Sequence, residues 1–92
     1  MKIEFTSRAF SRLEAIADYI DERSGNAQKA RDYVIQLREF IRNTLNSFPY
    51  AGRPCPDYGS KTRKLVYRGY SILYRIDGKR ILILTIFREN LP

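Results

Sequence analysis

Four side chains in the second half of the chain, Arg63, Lys64, Arg68 and Arg88, are of the type that grips an anion. Guanidinium and ammonium groups neutralise phosphate or carboxylate charge and donate several hydrogen bonds to it. They sit in a segment, Pro49 to Pro92, that holds nine Lys or Arg against three acids, a net +6. The stretch from Met1 to Phe48 has eight bases and seven acids, and the whole chain carries +7. A nearly neutral half joined to a basic half is the pattern of a scaffold that presents cations to an anionic partner.

Histidine is absent, which removes Ser-His and Cys-His pairs and any His-ligated metal. Neither a metal nor another cofactor is expected. Chemistry falls to Arg, Lys, Tyr and carboxylates. Cleaving RNA through its 2′-OH needs charge stabilisation together with a proton acceptor and donor. Arg63, Lys64 and Arg88 supply the first, but the second is thin, so the residues favour binding over turnover.

Each candidate has a plainer alternative. Arg63, Lys64 and Arg68 also suit a solvated strand edge, where cations discourage edge-to-edge pairing. Arg88 either meets a target or pairs with Glu89 or a helix carboxylate. Tyr67, Tyr70 and Tyr74 could stack on bases. Yet Tyr70 and Tyr74 share a face with Ile72 and Ile76, which reads as core. Arg53, between Gly52 and Pro54, reads as a lock on its own loop through backbone carbonyls. Cys55 stands alone, so it makes no internal disulfide, asks for no oxidising compartment, and reads as a passive thiol. Glu14, Asp18, Asp21 and Glu22 alternate with Arg12 and Arg23, an ordinary solvated helix face.

The elements that must position these groups follow from periodicity. At 92 residues the chain is one domain, 1–92. Lys2 to Phe5 alternates as a strand. Ala9, Leu13, Ile16 and Ile20 have helical spacing, with Ser7 as the expected cap. Ser24-Gly25-Asn26 ends that helix and starts another, carried by Ala30, Val34, Leu37, Ile41 and Leu45. Phe48-Pro49 closes it. Pro49 to Lys61, rich in Pro and Gly, is expected to be loop. Strands follow at Arg63 to Tyr67, Tyr70 to Ile76 and Arg80 to Phe87, with a turn at Arg68-Gly69. An Asp77-Gly78 hairpin turn would set Tyr74 opposite Ile81, Ile72 opposite Ile83, Leu73 opposite Leu82 and Arg75 opposite Arg80. Ile81 to Phe87, apolar except Thr85, reads as an interior strand. The fold class is α+β in the order β-α-α-β-β-β, a helical hairpin on a small, mainly antiparallel sheet. No apolar run approaches a membrane span and no signal-peptide core appears, so a cytoplasmic location is expected.

At this point the sequence resembles the ParE/RelE toxin superfamily. The similarity lies in Ile16-Ala17-Asp18-Tyr19-Ile20, in Phe48-Pro49-Tyr50-Ala51-Gly52-Arg53-Pro54, in Arg63-Lys64-Leu65-Val66, and in Gly69-Tyr70-Ser71-Ile72-Leu73-Tyr74-Arg75-Ile76. It extends through Ile81 to Arg88 and so over essentially the whole chain, and it is closer to the ParE branch. The resemblance implies the toxin of a bacterial type II toxin–antitoxin pair, of the kind that stabilises plasmids. DNA gyrase is the implied target, and a cognate ParD-like antitoxin the implied neutralising partner. The free toxin could form a homodimer or only a hetero-oligomer with its antitoxin.

The RelE branch implies instead a metal-independent endoribonuclease acting on ribosome-bound mRNA, through Arg63, Lys64 and Arg88, and a third reading is an inactive homologue serving antitoxin binding and autoregulation. Here Ser71 replaces the RelE-like arginine after the Gly-Tyr pair, and the chain lacks the C-terminal tyrosine. Target contacts are therefore expected from Arg63, Lys64, Arg68 and Arg88, with no catalytic residue.

Overall fold

The computed structural model describes residues 1–89. The order is strand β1 (Lys2–Phe5), helix α1 (Ser7–Ser24), helix α2 (Ala27–Ser47), the short strand β2 (Arg53–Pro54) and a 3-10 turn (Pro56–Tyr58). Strands β3 (Thr62–Tyr67), β4 (Tyr70–Asp77) and β5 (Arg80–Arg88) complete it. The five strands lie in the order β1-β5-β4-β3-β2, antiparallel except that β1 runs parallel to β5. This is the expected α+β arrangement of a helical hairpin on a mainly antiparallel sheet. The strand β2 is an addition within a segment expected to be loop. It pairs Arg53 with Lys64 and Pro54 with Arg63 at the sheet edge, where a proline's missing N–H costs nothing.

The helix starts and stops are local chemistry. The cap of α1 is Thr6, whose hydroxyl accepts from the Ala9 N–H, one residue before the expected Ser7. Gly25 ends α1 in the left-handed region at φ 65, which costs a glycine little. Asn26 then caps α2 by accepting from the Lys29 N–H. Leu13 and Ile16 of α1 and Leu37, Ile41 and Leu45 of α2 bury against Leu65, Tyr70, Ile72, Tyr74, Ile81, Ile83 and Ile86. Each such side chain contributes about 1.5–3 kcal/mol of burial.

The β4–β5 hairpin differs from expectation. The turn is Gly78-Lys79, with Gly78 at φ 64 in the first loop position that type II′ hairpins use. Tyr74 consequently faces Ile83, Arg75 faces Leu82, and Asp77 faces Arg80. Ile72 lies opposite Ile86 and Leu73 opposite Thr85. The reason is electrostatic as well as geometric. This register replaces an Arg75–Arg80 repulsion with an Asp77–Arg80 ion pair at 3.2 Å.

A β-bulge follows. Pairing steps from Tyr74↔Ile83 to Leu73↔Thr85, leaving Leu84 with no β4 partner. The bulge reverses the alternation of β5, so Ile81, Ile83, Ile86 and Arg88 all belong to the helix-covered face. On the other face the 3-10 turn covers part of the sheet, with the Tyr58 and Phe87 rings 5.9 Å apart. Ser71, Leu73 and Thr62 are buried there, while Val66 and Arg75 stay exposed.

Candidate functional site

At one end of the molecule the helical hairpin and the sheet diverge into a groove of about 680 Å³. Tyr19 and Ile20 line it from α1, Asp32 and Tyr33 from α2, Arg68 from the β3–β4 turn, and Tyr70 and Arg88 from the sheet. Two of the four expected cations, Arg68 and Arg88, therefore meet here.

Arg88 arrives through the bulge, because a regular β5 would point it to the opposite face. Its guanidinium donates to the Tyr19 hydroxyl at 3.3 Å and lies 5.7 Å from that ring's centre. Arg23 approaches the same ring at 5.0 Å. Arg68 sits in a turn in which both residues have positive φ, 48 for Arg68 and 86 for Gly69. That left-handed backbone costs a side-chain-bearing residue about 1–2 kcal/mol. The Arg68 guanidinium lies 5.4 Å from the Tyr67 ring centre. Among the described residues, neither Arg68 nor Arg88 has a carboxylate within ion-pair range.

Burial pushes the Tyr33 and Tyr70 phenols above the ordinary tyrosine value of 10.0. Arg68 and Arg88 both pull Tyr33 the other way, so both cations act on one hydroxyl. Burial prevails, and both phenols stay protonated donors at neutral pH. Their rings lie 6.1 Å apart in an edge-on arrangement.

The other two cations go elsewhere. Arg63 donates from Nε to the Gly52 carbonyl at 2.7 Å and from Nη2 to the Tyr50 carbonyl at 3.3 Å. It is the lock on the proline-rich loop, a task expected of Arg53, which instead is exposed on β2. Lys64 alternates to the opposite face of β3. Its Nζ pairs with Glu89 Oε1 at 2.7 Å, and the buried Ser71 hydroxyl donates to Glu89 Oε2. The cluster of four expected from sequence is thus a groove pair, a loop lock and an ion pair on the reverse side. Among the described residues no group of His, Cys, Asp and Glu is placed to hold a metal ion. No helix in them is long and apolar enough to cross a membrane.

Comparison with known proteins bears on this geometry. The family model described as the ParE toxin of the type II toxin-antitoxin system, parDE, matches residues 3–90. The chain belongs to the ParE toxin family. A solved structure of the chromosomal ParDE TA system from P. aeruginosa is similar to this ParE-family chain at TM-score 0.80 and 29% identity. That match covers 96% of this chain and 95% of the other. The toxin-antitoxin complex RelBE2 from Mycobacterium tuberculosis gives TM-score 0.70 and 22% identity over 96% of both chains, a likeness of fold. None of the curated proteins matches.

For this ParE-family toxin, sequence reasoning missed Tyr19, Tyr33 and Asp32 as groove residues and Glu89 as the partner of Lys64. Tyr33 carried a usable signal, being the widest polar-tipped residue on the apolar stripe of α2. Glu89 carried none, since its role depends on how the chain leaves β5.

Proposed function

We propose that this ParE-family toxin inhibits DNA gyrase by binding it stoichiometrically, without turnover, and that a cognate ParD-like antitoxin holds it silent. One arrangement supports binding over RNA cleavage: the Glu89 carboxylate lies between Lys64 and Ser71. A phosphate brought to Lys64 would meet that negative charge, and Ser71 stands where the ribonuclease branch carries an arginine. Arg63 is tied to loop carbonyls, and Arg88 opens on the other sheet face. The three cations of a nuclease reading do not surround one scissile phosphate.

Arg68 and Arg88 are assigned to partner contact, and Arg63 and Lys64 to holding the surface that presents them. An antitoxin partner is supported by the names of the two similar structures, a ParDE TA system and a toxin-antitoxin complex. The purified chain, tested in parallel in gyrase supercoiling and ribosomal mRNA cleavage, should inhibit the first and leave the second untouched. Codon-specific cleavage would replace this reading with the RelE-like one. Harmless expression of the chain alone in cells would reduce it to an antitoxin-binding homologue.

A further inference from the structure

Phe48 and Tyr50, at 68% and 66%, are the most exposed large apolar side chains among the described residues. The loop that carries them is nevertheless held from several sides. The Tyr74 hydroxyl donates to the Pro49 carbonyl and accepts from the Gly52 N–H, and Arg63 donates to the Gly52 and Tyr50 carbonyls. The Ala51 N–H closes a turn onto the Phe48 carbonyl at 3.0 Å, and the Arg63 guanidinium lies 5.1 Å from the Tyr50 ring centre. A fully buried tyrosine and a half-buried arginine therefore fix a segment whose own rings stay out of the core. Rings on a fixed backbone dock with little loss of freedom, and aromatic side chains carry much of the binding energy at protein contacts.

Beside the rings lies a shallow depression of about 460 Å³, lined by Ser47, Phe48, Pro49, Tyr50 and Ala51 and free of charged groups. We infer that this loop is the surface by which the chain grips DNA gyrase, Phe48 and Tyr50 entering an apolar pocket whose rim offers a carboxylate to Arg53. This deepens the gyrase reading above and rests on it. Arg53 suits the rim, being exposed and without a carboxylate in ion-pair range among the described residues. A nucleic acid fits less well, because stacked bases need cations along the phosphates between them. Arg63 is tied to loop carbonyls, and the depression supplies no other. A second copy docked through the same loop would bring Arg53 towards Arg53, since no acid lies between Phe48 and Pro56.

The test measures supercoiling inhibition by the full chain, and its binding to immobilised gyrase without DNA by biolayer interferometry. Phe48→Ala and Tyr50→Ala should each weaken both by at least about tenfold. Tyr50→Phe keeps the ring and should stay close to the parent. Arg53→Gln should weaken binding by about threefold, with a shallower salt dependence than the parent. Ile35→Ala, an equally apolar and exposed site on α2, should leave both readouts unchanged. Thermal melts of all variants should match the parent, because each altered side chain is exposed. A labelled single-stranded oligonucleotide serves as the comparison probe.

Parent-like inhibition and binding by both alanine variants would overturn the inference and leave the gyrase reading standing. Losses in Ile35→Ala equal to those in the loop would overturn it as well, since the effect would then belong to no particular surface. If the alanine variants lose only oligonucleotide binding, a nucleic-acid partner replaces the protein. A parent chain that neither binds nor inhibits gyrase would remove the gyrase reading itself, and with it the occupant named here.

Discussion

The Tyr74 hydroxyl accepts from the Gly52 N–H at 2.8 Å and donates to the Pro49 carbonyl at 2.9 Å. Tyr74 is fully buried in the middle strand, so it pins the proline-rich loop to the sheet from beneath. Tyr74→Phe keeps the ring and strands the buried Gly52 N–H, an expected loss of about 1–3 kcal/mol. Gly52→Ala should cost at least as much. Its Cβ would lie 2.7 Å from the Tyr74 ring and 2.8 Å from the Lys64 carbonyl oxygen, and backbone yields little. Urea midpoints measure both, and unchanged midpoints would show that the loop does not depend on this contact.

Glu89 joins the end of β5 to two strands at once. It reaches Lys64 on β3 and Ser71 on β4, while its backbone N–H donates to the Gly69 carbonyl. Glu89 is partly exposed, which moderates the energy. Glu89→Gln should cost about 1 kcal/mol, and Ser71→Ala a similar amount. Because both act through one carboxylate, the double variant should lose less than the two together. A thermal-melt double-mutant cycle reads this, and strict additivity would mean that Ser71 and Glu89 do not interact.

Much of the fold was legible because it is written in local patterns. The stripe of Leu37, Ile41 and Leu45, the break at Gly25-Asn26 and the Phe48-Pro49 stop each act within a turn or two of helix. The hairpin register was not, because Asp77-Gly78 and Gly78-Lys79 are both acceptable two-residue turns. The choice is made across the strands, by Asp77 meeting Arg80. The bulge at Leu84 was invisible for a similar reason. The carbonyls at the bulge meet Thr6, far away in sequence. That bulge decides which face Arg88 joins, so the charge of the site could be read but its grouping could not. Lys64 and Arg63 are neighbours in sequence and on opposite faces in space, which one strand's alternation alone dictates.

Tyr33 and Tyr70 give the groove an alkaline signature. Burial raises both phenols above 10.0, so the folded state holds these protons more tightly than the unfolded chain. The sign follows: their contribution is fully present below the unfolded value near 10.0 and is lost as pH rises through the higher folded values. Melting temperature should fall above about pH 10, more steeply in the parent than in the Tyr33→Phe, Tyr70→Phe double variant. Phenolate absorbance should show two late-titrating tyrosines in the parent that vanish in the variant. Parallel slopes for the two proteins would place the alkaline loss on other groups.

Thr6 links the start of α1 to the bulge that aims Arg88. Its N–H donates to the Ile83 carbonyl at 3.1 Å, and its hydroxyl donates to the Leu84 carbonyl at 2.8 Å while accepting from Ala9. Arg12 continues along the same edge, its Nε donating to the Ile86 carbonyl at 2.9 Å. Thr6→Ala removes both the cap and the bulge tether, an expected cost of about 1–2 kcal/mol, and Thr6→Ser should restore most of it. The loss should also be local. Amide exchange at Ile86, Phe87 and Arg88, beyond the bulge, should quicken more than at Ile81, which β1 still pairs. If exchange beyond the bulge is unchanged in Thr6→Ala, the strands hold the bulge themselves and Thr6 serves only to cap α1.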